Sequence, residues 1–260
     1  MKKFIVFFVF TLIINSGYAT NGGGGKDPKP VSRQGFSQTT KSFARPDIPG
    51  TLLIDFGFNF LTNSIDTLDL FSAIGSRTIN FYYQYDIPLG KSKFSFHPGF
   101  GLGLDRYKFE RDETVIGSNN SSGDRVVDIV SLGDVLPDNT TKVNKSMLVT
   151  NYLDIPIEFR FHTDQDDPKR SFRIAVGGRV GILFDSKTKI KYRADDNNNK
   201  LKDKNDFNVS RFRYGVYGRI GVGSFNFFSY YNLSTLFQEG QGPIDANPSG
   251  ITVGISVTGF

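Results

Sequence analysis

Two histidines, a few serines and scattered carboxylates are the residues through which this chain could do acid–base chemistry. His97 stands two residues from Ser95 in "KFSFHPGFGLGLD", and Asp105 closes the same segment. In an extended strand, residues two apart share a face. Ser95, His97 and Asp105 therefore make a conceivable nucleophile, base and orienting acid. His162 ends "NYLDIPIEFRFH" just before "TDQDDP", where a rim residue in water is expected rather than a ligand. The chain has no cysteine, which excludes disulfides, thiolate zinc sites and cysteine nucleophiles. "DQDDPK" (164–169) and "DDNNNKLKDKND" (195–206) are acidic but lack the spaced ligands of a calcium loop, so solvated turns are expected. Neither "GVGSF" nor the four glycines at 22–25 opens a helix after a strand, so they are not phosphate loops.

The larger chemical resource is ionic. Arg173 and Arg179 lie in "SFRIAVGGRVGILF", and Arg211, Arg213 and Arg219 lie in "SRFRYGVYGRIGVG". Both segments alternate with period two, the mark of a β-strand with unlike faces. The arginines share their face with glycines, while Phe172, Ile174, Val176, Val180, Ile182 and Phe184 take the other. Asp55, Asp86, Asp105, Asp154 and Glu158, with Arg160, occupy equivalent places in "TLLIDFGFNFL", "SRTINFYYQYDI", "KFSFHPGFGLGLD" and "NYLDIPIEFRFH". "SGITVGISVTGF" alternates as well, whereas "FNFFSYYNLSTLF" is aromatic on both faces and gives no register.

Eight such segments run from residue 50 to the end, and their connections alternate in length. Those at 88–92, 163–169 and 223–224 are short; those at 62–75, 109–146, 186–207 and 238–248 are medium to long. Short turns on one rim and excursions on the other suit a transmembrane barrel. A soluble barrel of eight strands would have to pack dozens of aliphatic and aromatic side chains into an interior wide enough for a single filled layer. Reversing the faces removes that conflict: small and paired charged groups fill the lumen, and the apolar faces meet lipid. The expected fold is an all-β, eight-stranded, antiparallel, up-and-down transmembrane β-barrel with short periplasmic turns and long external loops. Asp55, Asp86, Asp105, Asp154, Glu158, Arg160, Arg173, Arg179, Arg211, Arg213 and Arg219 are expected to form a lumen network that plugs the barrel, since buried charges must pair. Ser95 and His97 then face the lumen, away from lipid substrates. They are expected to be fillers, with no catalytic residue, cofactor or metal.

The ends of the chain bear on delivery. "MKKFIVFFVFTLIINSGYA" has two lysines, an apolar run too short for a spanning helix and a small-x-small cleavage site, so 1–19 is expected to be a signal peptide. Residues 20–49, rich in Gly, Pro, Ser and Lys, are expected to be a flexible periplasmic leader, leaving 50–260 as the barrel domain. Without Lys2 and Lys3 the formal charge falls from +5 to +3, too mild to argue for nucleic acid. Phe260 is expected to be an assembly signal read by the barrel-assembly machinery, although its parity matches Thr258 rather than Val257 unless Gly259 forms a bulge. Within 109–146, the stretch "DRVVDIVSLGDVL" is apolar enough to form a short helix or hairpin closing the barrel mouth.

"YLDIP" at 152–156, "GGRVGILF" at 177–184 followed by "SKTKIKY", "SYYNLSTLF" and "ITVGIS" together resemble the PorT-type outer-membrane β-barrel proteins of Bacteroidetes-like bacteria. The resemblance covers about residues 50 to 260. It implies an eight-stranded barrel related in architecture to OmpX and the membrane part of OmpA, in the cell outer membrane. The expected role is structural or partner-binding and non-enzymatic. The alternative is an accessory of a type IX secretion-like or envelope-assembly complex; a lipid-modifying enzyme or small-solute channel follows. Expected partners are outer-membrane lipid, the barrel-assembly machinery and other envelope or secretion proteins.

Overall fold

Alternation is what builds the wall. In Phe212–Val222, Phe212, Tyr214, Val216, Ile220 and Val222 point out while Arg213, Gly215, Tyr217, Arg219 and Gly221 point in, and the strand takes that period over its whole length. The computed structural model describes residues 50–62, 75–109, 112–119, 123, 125–164, 171–205, 207–242 and 248–259. The expected signal peptide, leader and terminal Phe260 lie outside the described residues.

Twelve strands occur in chain order: β1 Thr51–Thr62, β2 Arg77–Gln84, β3 Ile87–Pro88, β4 Phe94–Lys108, β5 Glu113–Asn119, β6 Arg125–Ser131, β7 Thr140–His162, β8 Phe172–Ala194, β9 Asn197–Asp203, β10 Phe212–Val222, β11 Phe225–Asn232 and β12 Ser249–Thr258. Eight of them form the barrel. β1, β2, β4, β7, β8, β10, β11 and β12 pair antiparallel in that sequence, and β12 returns to β1 with Phe56 opposite Ile255. Closure leaves no unpaired edge, the condition under which strands survive in hydrocarbon. The turn between β10 and β11 has two residues, with Gly223 at φ +59°, the left-handed value a II′ hairpin requires at its first central position.

The faces are distributed as in a membrane barrel. Phe100, Val176, Phe212 and Phe225 are more than 60 % exposed on the outer wall, while Asp55, Asp154 and Glu158 are at most 1 % exposed inside. Near the short-turn rim, two aromatic pairs join β4 to β7: Phe94 with Phe161 at 5.3 Å and Phe96 with Phe159 at 5.0 Å between ring centroids. Aromatic side chains at that height suit the interfacial layer of a bilayer.

Three elements depart from the sequence expectation. β7 and β8 are each 23 residues long, where 9–11 suffice to cross the hydrocarbon. The expected connections at 109–146 and 186–207 are therefore partly strand: β7 begins at Thr140, and β8 continues past its lipid-facing portion to meet β9. The turn joining β8 to β9 is Asp195-Asp196, both at positive φ (47° and 60°), so the acidic run shapes a hairpin. Of the helix and hairpin considered for the apolar stretch after residue 125, most is hairpin: β6 pairs with β5, and only Leu132–Asp134 turns as a short 3-10 segment. Val115 of β5 and Val127 of β6 pack with Leu61, Phe109, Leu148, Phe207 and Phe237 in an apolar cluster at the long-loop rim.

Ile155 of β7 lies opposite Val180 of β8 with its side chain about half exposed on the outer wall. Ile155→Arg should therefore destabilise the folded barrel by about 2–4 kcal/mol in vesicles, the cost of a cation near the bilayer midplane. A denaturant titration in phosphatidylcholine vesicles checks this; an unshifted midpoint would put Ile155 outside the hydrocarbon.

Candidate functional site: the ion-paired lumen

The candidate site is the barrel interior, and its arginines on β10 reach carboxylates on strands that are not their neighbours. Arg213 of β10 reaches two carboxylates. Its Nε donates to Oδ1 of Asp154 on β7 at 3.0 Å, its Nη2 to Oδ2 of Asp154 at 2.5 Å, and its Nη1 to Asp105 on β4. Tyr82 of β2 donates its hydroxyl to the same Asp154 at 2.7 Å. Arg179 of β8 in turn donates to the Tyr82 hydroxyl, with its guanidinium 3.9 Å from Asp154. This is the cluster nearer the long-loop rim.

The second cluster lies toward the short turns. Arg219 of β10 grips Asp55 of β1 with two nitrogens, at 2.7 and 3.0 Å, and Glu158 of β7 with its Nε at 3.0 Å. Glu158 also accepts from Arg160 at 2.8 Å, and Arg160 donates to Gln84 of β2 at 3.0 Å. Ser256 of β12 donates to Asp55 and accepts from Arg219. Asp55, Asp154 and Glu158 thus each meet several donors. Stripping water from an unpaired ion would cost several kcal/mol, so this density of partners is what lets the interior hold charge.

Rings complete the packing. The Arg179 guanidinium lies 3.6 Å from the centroid of Tyr230, Arg213 lies 4.1 Å from Tyr152, and Arg219 lies 4.8 Å from Tyr217. These inward aromatics stack on cations in a water-poor space, where the interaction is strongest. Glycines make room for the ions. A Cβ built on Gly103 would fall 1.8 Å from Arg213 Nη2, and one on Gly181 would fall 2.2 Å from Asp154 Oδ1. The void beside the second cluster, lined by Leu53, Glu158, Arg160 and Arg173 among others, holds about 10 Å³, about enough for one water.

Placement of the remaining expected residues varies. Arg173 is buried but has no carboxylate within ion-pair distance among the described residues, bonding instead to the Thr258 hydroxyl at 3.1 Å. Two residues are corrections. Asp86 is not in the interior network: its side chain is 43 % exposed at the short-turn rim, because β2 has ended at Gln84 and the chain is already turning. Arg211 is exposed and precedes β10, so alternation does not place it; it sits on the outside beside Leu183 and Asp185. Asp105, considered as the acid for His97, belongs to the Arg213 cluster.

His97 finds its acid elsewhere. Its Nδ1 is 2.6 Å from Asp86 Oδ1, its Nε2 is 2.6 Å from Ser95 Oγ, and Thr51 donates to Asp86 at 2.7 Å. The connectivity is serine, imidazole, carboxylate, but Ser95 and His97 are both buried. On this geometry the trio clasps the rim of β1, β2 and β4. Sequence reasoning missed Tyr82, Tyr152, Tyr230, Phe228 and the clearance at Gly103 and Gly181. The shared parity of Tyr82 with Asn80 and Gln84, and of Tyr217 with Arg219, was the available signal.

Two substitutions test the network. Arg213→Met strands Asp105 and Asp154 without their cation and should cost about 3–5 kcal/mol of folding stability. Gly103→Ala should destabilise as well, although it removes no charge, since a methyl there displaces the guanidinium. Unfolding midpoints in vesicles that match the wild type for both would mean the interior is not held by these contacts.

A family model for the outer membrane protein beta-barrel domain matches residues 36–238. No curated protein matches the sequence. Among solved structures, the chain is similar to Ail, the attachment invasion locus protein of Yersinia pestis, at 11% identity and TM-score 0.33, with 81% of this chain and 97% of that chain covered. Ail in complex with the heparin analogue sucrose octasulfate is similar at 11% identity and TM-score 0.30, with 82% and 100% covered. A Rhodopseudomonas blastica porin mutant is similar at 8% identity and TM-score 0.18, with 81% and 99% covered. The family match spans most of the chain and agrees with the closed, inside-out wall: the protein belongs to the outer membrane protein beta-barrel domain family, and its place is the outer membrane.

Proposed function

We propose that the protein is a PorT-type barrel with a non-enzymatic, partner-presenting role, its contact surface carried on the strands that rise beyond the hydrocarbon. One observation carries this reading. β7 and β8 run for 23 residues each, and with β9 they extend a sheet past the lipid-facing wall. Extra strand of that length adds nothing to crossing a bilayer. The interior, by contrast, is closed by ion pairs and stacked rings, which argues against passage of solutes. An accessory place in a secretion or envelope-assembly complex is the same reading with the partner specified. The signal at 1–19 and the leader at 20–49 would serve delivery and periplasmic contacts, and Phe260 recognition by the barrel-assembly machinery.

Affinity purification from gently solubilised membranes tests the reading. Wild-type protein should enrich a defined set of envelope proteins, and a variant in which 195–203 is replaced by a Gly-Ser linker should lose them. Recovery of the same set with both, or of the barrel alone, would overturn it. Planar-bilayer recordings should give no conductance steps, and Ser95→Ala should leave the lipid A profile unchanged.

A further inference from the structure

Above the lipid-facing band, the outer wall turns from carbon to cations without changing side. On β4 the outward residues run Leu102, Leu104, Arg106, Lys108, and the register with β7 is unbroken over that stretch. Arg77 of β2 stands beside Arg106. On β7 and β8, Lys145 faces Lys191, while the buried Val149 lies between Arg106 and Lys187 and the buried Met147 between Lys108 and Lys189. β9 extends two of these rows, placing Lys202 beside Lys189 and Lys200 beside Lys191. Adjacent strands lie about 4.8 Å apart and alternate residues about 7 Å along a strand. The result is a cationic grid on one continuous outward face.

Counter-charge on that face is scarce. Asp185 pairs with Lys187 at 2.6 Å and Lys204 at 3.3 Å. The lysines at 145, 189, 191, 200 and 202 have no ion pair among the described residues. Burial, then repulsion from Arg77, Lys108, Lys191 and Arg106, holds the Lys145 ammonium below the ordinary lysine value. Repulsion from Lys202 and Lys189 does the same to Lys200. The opposite face of the blade is occupied: Ile190 packs with Leu132 and Leu136. Like charges assembled this closely disfavour one another unless an anion lies among them.

We propose that this grid docks the phosphate groups of an outer-leaflet glycolipid whose acyl chains lie against the hydrophobic wall directly below. Continuity selects the lipid over a soluble anion. Leu104 and Arg106 are successive outward residues of one strand, so a lipid seated on the wall presents its headgroup at the height of the cations. The inference rests on the membrane placement of the barrel and is independent of the partner-presenting reading, because its readout is lipid rather than protein.

Native mass spectrometry of the mature chain in a mild detergent tests it. Bis-phosphorylated lipid A should be retained as a bound adduct, and its dephosphorylated form should not. Lys189→Gln with Lys191→Gln should weaken retention by about fivefold per cation removed, taking about 1 kcal/mol for each lysine near an anionic surface. Lys91→Gln with Lys93→Gln, the same loss of charge in a short turn on the other rim, should leave retention unchanged. Both doubles replace exposed or half-exposed side chains, and heat-modifiable migration on gels confirms that they fold. Equal retention of phosphorylated and dephosphorylated lipid would overturn the proposal. So would equal weakening by the two doubles, or displacement of the lipid by inorganic pyrophosphate at matched phosphate concentration.

Discussion

A charge removed from water must meet its opposite, and for Arg213 and Arg219 the opposite stands on strands with which β10 shares no backbone bond. Arg219 ties β10 to β1 and β7, and Arg213 ties β10 to β4 and β7. Hydrogen bonds along the wall join only neighbours, so the ladder alone would tolerate a shift of register between two strands. The crossings do not. A slip of one residue would swing Arg219 to the lipid side and leave Asp55 and Glu158 stranded. The interior ions therefore specify register as well as filling space, and the outer wall can be composed of almost any apolar side chains.

The same requirement explains which small and flat residues are present. Gly103 and Gly181 lie beside the Arg213–Asp154 pair because a methyl at either position would occupy the ions' volume. Tyr82 supplies a hydroxyl that bonds both Asp154 and Arg179, whereas a phenylalanine there would leave lone pairs unmatched. At the long-loop rim the chemistry changes: Phe109, Val115, Phe207 and Phe237 close the interior with carbon.

Much of this was legible in the chain because parity is a strong signal wherever one face is apolar. The faces of β1, β4, β8 and β10 follow directly from alternation. Parity fails at strand ends, where it says which way a residue would point but not whether the strand is still there. Arg211 and Asp86 fell on that side of the line. It fails again where both faces are aromatic: β11 sends Phe225, Phe227 and Tyr231 outward and Phe228 and Tyr230 inward, and only the arginines opposite distinguish the two sets. Partnership across the lumen was not legible at all. His97 takes Asp86 and leaves Asp105 to Arg213 because the barrel's curvature, absent from a list of residues, decides who meets whom.

The register shift between Asn151 and Tyr152 inserts Phe184 into β8 as an unopposed residue. Below it the even-numbered side chains of β8 face outward; above it the odd-numbered ones do. That single extra residue is a phase boundary between two tracts of one strand, each satisfying a different solvent. Lengthening or shortening the blade by whole hairpin rungs leaves the submerged tract untouched, whereas one residue gained or lost beneath Phe184 would invert every side chain between it and the error. Variation among related chains should accordingly concentrate on the wet side of this residue, with the dry side held to a constant count.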